Sequence, residues 1–214
     1  MEILEKISTA LQKKKVKEIK NLVQEAIDAG IPAEKILNDG LIDGMNVIGT
    51  RFKNGEIYVP EVMMSAKAMK EGTELLKPLL ISDGVEACGV VVIGTVEGDQ
   101  HDIGKNLVAM MMESKGFEVI DLGTNVTADR FIEAAIDRKA DFVCCSALLT
   151  TTMINMKKVV EKAEEAGVRN NFTIMIGGAP VTEDFAVRIG ADIYTPDAGS
   201  AAEAAMDKLN QTKK

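Results

Sequence analysis

The chain has 214 residues, 46% of them apolar and 27% charged, with a net charge of −8 at pH 7. Those proportions are ordinary for a folded protein and leave room for one large domain or two small ones. The acidic balance disfavours nucleic acid and anionic lipid as partners, because like charges repel, and the longest basic run, Lys13-Lys14-Lys15, reads as a solvated helix end.

The opening residues Glu2, Glu5 and Lys6 do not resemble a secretory leader, and the most apolar stretch, Gly89–Val96, is too short to cross a bilayer. A cytoplasmic protein is expected. From Met1 to about Leu80, apolar residues recur at helical spacing in four stripes. The first holds Ile3, Leu4, Ile7 and Leu11; the second runs from Val16 to Ile27. The third runs from Ile36 to Phe52, and the fourth takes Val59, Val62, Met63, Ala66 and Met69. Gly30 followed by Pro32, and Asn54-Gly55 followed by Pro60, mark breaks between them. The pattern predicts a four-helix bundle over residues 1–80. Lys77–Ala87, with Pro78, Ser82, Asp83 and Gly84, reads as a break, with the linker itself at 81–87.

After it the period changes. β-branched runs at Gly89–Val96, Phe117–Leu122, Ala140–Ser146, Thr173–Gly177 and Ala191–Tyr194 alternate with helical segments. These lie near Gly104–Ser114, Thr127–Arg138, Met153–Ala166, Glu183–Ile189 and Ala201–Leu209. Five strands alternating with helices predict an α/β domain over 88–214, a flavodoxin-like parallel sheet covered on both faces. Such sheets bind ligands at the carboxyl ends of their strands. Cys88, Cys144 and Cys145 lack paired metal-ligand spacing and sit among Val and Ala, so they read as reduced and buried. Met110, Met111 and Met112 are assigned to the core.

The first strand ends in Gly98-Asp99-Gln100-His101-Asp102-Ile103-Gly104, and His101 is the one histidine of the chain. An isolated histidine usually caps a helix or packs in a loop, and one histidine is too few for a zinc site. It suffices, however, as the single axial donor to a metal whose other ligands come from a macrocycle. A carboxylate on the second ring nitrogen fixes the tautomer, and Asp99 can supply it. Gly104 can let the backbone pass beneath a large flat ligand.

Asp99-x-His101-x-x-Gly104 resembles the signature of cobalamin-binding modules that hold the corrinoid with its own base displaced and a histidine in its place. Ser146-Ala147-Leu148 with Thr150 resembles the element that hydrogen-bonds the displaced tail, and Gly177-Gly178 resembles the glycine pair that admits it. Taken singly, Ser146 reads equally as a strand-end residue and the glycines as an ordinary loop. Gly40–Gly49, Phe52, Gly55–Pro60 and Met63–Ala66 resemble the helical cap of methionine synthase and related corrinoid proteins. The resemblance implies a cobalamin or related corrinoid held by Gly98, Asp99, Gln100, His101, Asp102, Ile103, Gly104, Ser146, Leu148, Thr150, Gly177, Gly178 and Ala198. His101 is the metal ligand and acts with Asp99 as the catalytic pair; Val59, Met63 and Met64 are cap contacts, a stripe that elsewhere is plain core.

The implied function is methyl carriage. Cobalt as Co(I) takes a methyl group from a substrate-specific methyltransferase partner, and methyl-Co(III) yields it to a second methyltransferase with a thiol or folate-type acceptor. A reductive activase is a further implied partner, and methylated or quaternary amines are the expected donors, as in systems of methanogens and acetogens. With only a cap and a cofactor domain, the chain is expected to be a free-standing subunit rather than an enzyme by itself, its cap moving on the Lys77–Ala87 hinge. An adenosylcobalamin-dependent mutase subunit and a cobalamin-responsive regulator are the alternatives. A mutase subunit is not expected to carry such a cap, and no basic DNA-binding module is evident. A nucleotide or flavin fold would need a phosphate loop where Glu97 and Asp99 repel phosphate.

Overall fold

Apolar residues spaced three and four apart build the N-terminal helices, as their period requires. In the computed structural model, which describes residues 2–83 and 87–212, these are α1 (Glu2–Gln12), α2 (Val16–Asp28), α3 (Ala33–Ile36), α4 (Asp43–Lys53) and α5 (Val59–Ser82). Ile7, Leu11, Ile19, Val23, Ile36, Leu41, Ile48, Val62 and Leu76 are fully shielded from solvent. Gly30, at φ +74°, ends α2, and Pro32 stands just before α3.

Two local features depart from the sequence pattern. The stripe from Ile36 to Phe52 forms one helical path, but Leu37–Ile42 widens into a π-helical turn between α3 and α4. Here α1 comes close: a Cβ on Gly40 would lie 3.1 Å from Ile7 Cγ2, and one on Gly44 3.0 Å from the Ser8 carbonyl. Secondly, α5 continues through residues 77–82, the first part of the stretch expected to be a linker, including positions 81 and 82. Pro78 forfeits one helical hydrogen bond, while Leu76 and Leu80, one turn apart, are both buried and hold the helix to Ser82. Residues 84–86 of the expected linker lie outside the described residues.

The chain divides into two compact units whose main boundary in sequence falls between Ala87 and Cys88, with Ser114–Gly116 grouped with the first. The second unit alternates β1 (Val90–Thr95), α6 (Ile103–Ser114), β2 (Glu118–Asp121), α7 (Ala128–Arg138), β3 (Phe142–Ser146), α8 (Asn155–Glu165), β4 (Thr173–Gly177), α9 (Glu183–Ile189), β5 (Ile193–Tyr194) and α10 (Ala198–Thr212). All neighbouring strands are parallel, in the order β2-β1-β3-β4-β5, the flavodoxin-like order. Its core includes Val92, Phe131, Val143, Met156, Val160, Ile174 and Ile176. Met111 and Met112 are buried. Cys144 and Cys145 are buried as well; burial pushes the Cys144 thiol up to about 12 and raises that of Cys145, so both stay protonated and unreactive.

Register places the site. Thr95 of β1 pairs with Ser146 of β3, which pairs with Gly177 of β4, so three loops leave the sheet at one level. The chain reverses direction of travel across the sheet between β1 and β3, and the loops that follow these two strands are therefore the ones expected to meet a ligand. Among the described residues, no helix is long and apolar enough to cross a membrane.

Candidate functional site

A carboxylate can be buried only if donors surround it, and the loop after β1 supplies this arrangement. The Asp99 side chain is 0% exposed. Its Oδ1 accepts from the His101 backbone N–H at 3.1 Å and lies 2.7 Å from His101 Nδ1. Its Oδ2 accepts from Thr152 Oγ1 at 2.6 Å, from the Leu148 N–H at 2.8 Å and from the Leu149 N–H at 3.3 Å. Burial alone would raise its pKa, but hydrogen bonds from Thr152, His101 and the Leu148 backbone outweigh it and hold the carboxyl well below the usual carboxylate range. Asp99 is thus an ionised acceptor. Nδ1 of a neutral His101 must then carry the ring proton, which leaves the Nε2 lone pair unprotonated. The imidazole is half exposed, so that lone pair is available to a ligand.

The ring's main chain is pinned as well. Thr95, buried at the end of β1, donates its hydroxyl to the His101 carbonyl at 2.9 Å. Gln100 is exposed and accepts from Thr124 at 3.1 Å; Asp102 is exposed and bonds Asn106, one turn along α6, at 3.1 Å. Apolar surface lies open beside the imidazole: Ile103 is 73% exposed, Leu148 45% and Leu149 42%. A Cβ added to Gly104 would meet no protein atom within 4 Å. Open space over a glycine, exposed aliphatic groups and one free imidazole nitrogen leave room for a broad apolar ligand. Among the described residues, no group of three or more His, Cys, Asp and Glu side chains is placed to hold an ion.

Ser146 is half-buried and Thr150 exposed at the carboxyl end of β3, and their hydroxyls make no hydrogen bond with the described residues. Gly178 has an internal reason to be glycine. At φ +135° its Cβ would fall 1.9 Å from the Ala147 carbonyl oxygen, so the close approach there is made by the protein's own chain. Gly177 faces the Thr195 carbonyl, 3.2 Å from where a Cβ would stand. Ala198 is buried at the start of α10, and no hydrogen bond among the described residues ties it to the His101 loop. In the first unit Val59 is half-buried, while Met63 and Met64 are 48% and 50% exposed.

Several participants escape the sequence pattern. Thr152, not Thr150, is the buried member of the run Thr150-Thr151-Thr152, and only the bend after β3 turns it toward Asp99. Lys105 is 1% exposed at its side chain, an improbable place for a lysine, and bonds Asp121 at 2.5 Å and Asn106 at 2.7 Å. It ties the first turn of α6 to the end of β2. Asn125, at φ +56°, and Asn155 both bond the loop that carries Asp99.

Comparison with known proteins bears on this geometry. Residues 89–206 match a family model described as B12 binding domain, and residues 3–77 match a second model of the same description. Dimethylamine corrinoid protein 3 of Methanosarcina acetivorans is 44% identical over 193 residues, covering 89% of this chain and 91% of that protein. Trimethylamine corrinoid protein 2 of the same organism is 43% identical over 191 residues, covering 88% and 85%. Among solved structures, the methanol:cobalamin methyltransferase complex of Methanosarcina barkeri contains a chain that is 33% identical, with a TM-score of 0.87, covering 98% of this chain and 80% of that one.

Proposed function

The chain belongs to the family of B12 binding domains, and from that membership we propose that it is a corrinoid-binding methyl carrier serving partner methyltransferases, not a catalyst by itself. One observation carries the reading: the buried, ionised Asp99 stands 2.7 Å from Nδ1 of a half-exposed His101. When bound, the corrinoid would supply the cobalt chemistry of methyl carriage. Nε2 of His101 would be the protein's donor to that metal. Asp99 holds the Nδ1 proton and so keeps that donor in its binding tautomer.

The remaining residues bind and exclude water. Ile103, Gly104 and Leu148 present the apolar surface beside the imidazole, flanked by Gly98, Gln100 and Asp102 of the same loop. Ser146 and Thr150 offer hydroxyls to the cofactor's tail near Gly177 and Gly178, and Ala198 lines the buried end of α10. Contacts from Val59, Met63 and Met64 are supported by the exposure of the two methionines. The names of the relatives support methylated amines as donors, delivered by a substrate-specific methyltransferase. A second methyltransferase with a thiol or folate-type acceptor and a reductive activase complete the proposed partners.

The test is reconstitution with hydroxocobalamin. His101→Gly is expected to shift the visible spectrum and to weaken retention of the corrinoid by tenfold or more, about the loss seen when a metal site is perturbed. An unchanged spectrum with unchanged retention would remove His101 as axial donor.

A further inference from the structure

The turn that aims Asp99 has one peptide bond on which its shape depends. The Asp99 N–H donates to the Val96 carbonyl at 3.1 Å, closing a four-residue turn with Glu97 and Gly98 at its centre. Gly98 has φ +81°, the value that a type II turn requires at this position. Type I and type II turns differ chiefly in the orientation of the central peptide, here Glu97–Gly98, and a flip of that peptide redirects the residue that follows. Both ends of this peptide are held from outside the turn. Asn155, at the start of α8, donates from Nδ2 to the Glu97 carbonyl at 2.7 Å. Asn125, between β2 and α7, accepts from the Gly98 N–H through Oδ1 at 2.7 Å, and its own N–H returns to the Asp99 carbonyl at 3.0 Å. The polarity of each amide follows from its partner, since a backbone carbonyl only accepts and an N–H only donates. Asn125 sits at φ +56°, a left-handed position that asparagine adopts more readily than most residues.

We propose that Asn125 and Asn155 are positioning residues that grip the Glu97–Gly98 peptide at its two ends with opposite hydrogen-bond polarity, and so set the contact between Asp99 and His101. The inference deepens the reading of His101 as axial donor and rests on it. Neither asparagine bonds the imidazole; they act through the backbone that carries Asp99.

His101 is the only histidine, so full-length protein carrying nitrogen-15 histidine reports one imidazole, and its shifts give the tautomer without any cofactor. Asn125→Asp keeps the acceptor and tolerates the left-handed backbone; Asn125→Gly keeps the backbone freedom and loses the acceptor; Asn155→Asp loses the donor. Asn125→Asp is expected to match the wild type. Asn125→Gly and Asn155→Asp are expected to mix the tautomers in the cofactor-free protein. After reconstitution they are expected to raise the dissociation constant for hydroxocobalamin by about three- to tenfold, one lost hydrogen bond's worth, and to move the spectrum toward that of His101→Gly. Wild-type shifts and affinity in Asn125→Gly and Asn155→Asp, with His101→Gly still altering the spectrum, overturn the clamp and leave the axial donor standing. An unaltered His101→Gly spectrum overturns the axial donor, while the cofactor-free shifts still decide the clamp. Equal damage from Asn125→Asp and Asn125→Gly shows that acceptor polarity is irrelevant and also overturns it.

Discussion

The helical unit and the α/β unit bury polar groups on different terms. Among the described residues of the N-terminal helices, the buried polar side chains are Ser8 and Ser65. Ser65 donates to the Leu11 carbonyl at 3.2 Å, and Ser8 lies 3.2 Å from an Asp43 oxygen. Each is a neutral hydroxyl, with Ser8 also accepting from Gln12 at 3.2 Å, and is inexpensive to bury and inexpensive to lose. The α/β unit buries Thr95, Asp99, Lys105 and Thr152, and two of these are charged. A buried charge is tolerated only with a full set of partners. Asp99 and Thr95 have theirs in the loops at the carboxyl ends of β1 and β3, and Lys105 is paired with Asp121 at the end of β2. The difference teaches that neutral hydroxyls suffice where helices pack, whereas the second unit gives up stability to hold one imidazole in one tautomer.

The largest expected effect is at Asp99. Asp99→Ala leaves the backbone N–H groups of His101, Leu148 and Leu149 without that acceptor and the Thr152 hydroxyl with only the Leu149 carbonyl, and should cost about 3–5 kcal/mol in denaturant unfolding. The pH dependence sharpens this. The Asp99 carboxyl is depressed in the folded state, so its contribution is complete above the unfolded value of about 4 and is lost as pH falls through the lower folded value. The gap between wild type and Asp99→Ala should therefore stay level from about pH 5 to pH 8 and narrow only in stronger acid. A gap that closes near neutrality would mean that Asp99 is not the ionised hub. Gly178→Ala comes next, because the added methyl would collide with the Ala147 carbonyl at a left-handed φ. A loss of about 3 kcal/mol is expected, and a melting temperature equal to that of the wild type would show that this loop yields freely. The smallest effect is expected in the helical unit. Ser65→Ala removes one hydroxyl, and the Leu11 carbonyl keeps the Lys14 N–H at 2.9 Å. A cost of about 1 kcal/mol or less is expected, with no change in the spectrum of reconstituted protein. If Ser65→Ala proved as costly as Asp99→Ala, the contrast between the units would fail.

Much of this was legible in the residues. All five β-branched runs became strands, since a buried parallel sheet demands continuous apolar sequence and few other folds produce that spacing. His101 and Asp99 could be paired from their spacing alone, because a turn brings residues two apart into reach. Other features were illegible for physical reasons. The π turn at Leu37–Ile42 belongs to the same apolar stripe as the helices flanking it, and the burial of Leu76 and Leu80 overrode the breaker at Pro78. Thr152 stood beside two identical neighbours, and nothing in the run distinguished the buried one.

What the amino-acid order determined by itself was periodicity, hence the elements and their kind, together with contacts between residues a few positions apart. What only the tertiary structure decided was which distant side chains meet: Thr152 with Asp99, Lys105 with Asp121, Asn125 and Asn155 with the peptide between Glu97 and Gly98. Polar residues of that kind carry no period, and their meaning arises when parallel strands in register bring their loops to one level, where a single buried carboxylate must find every donor it needs.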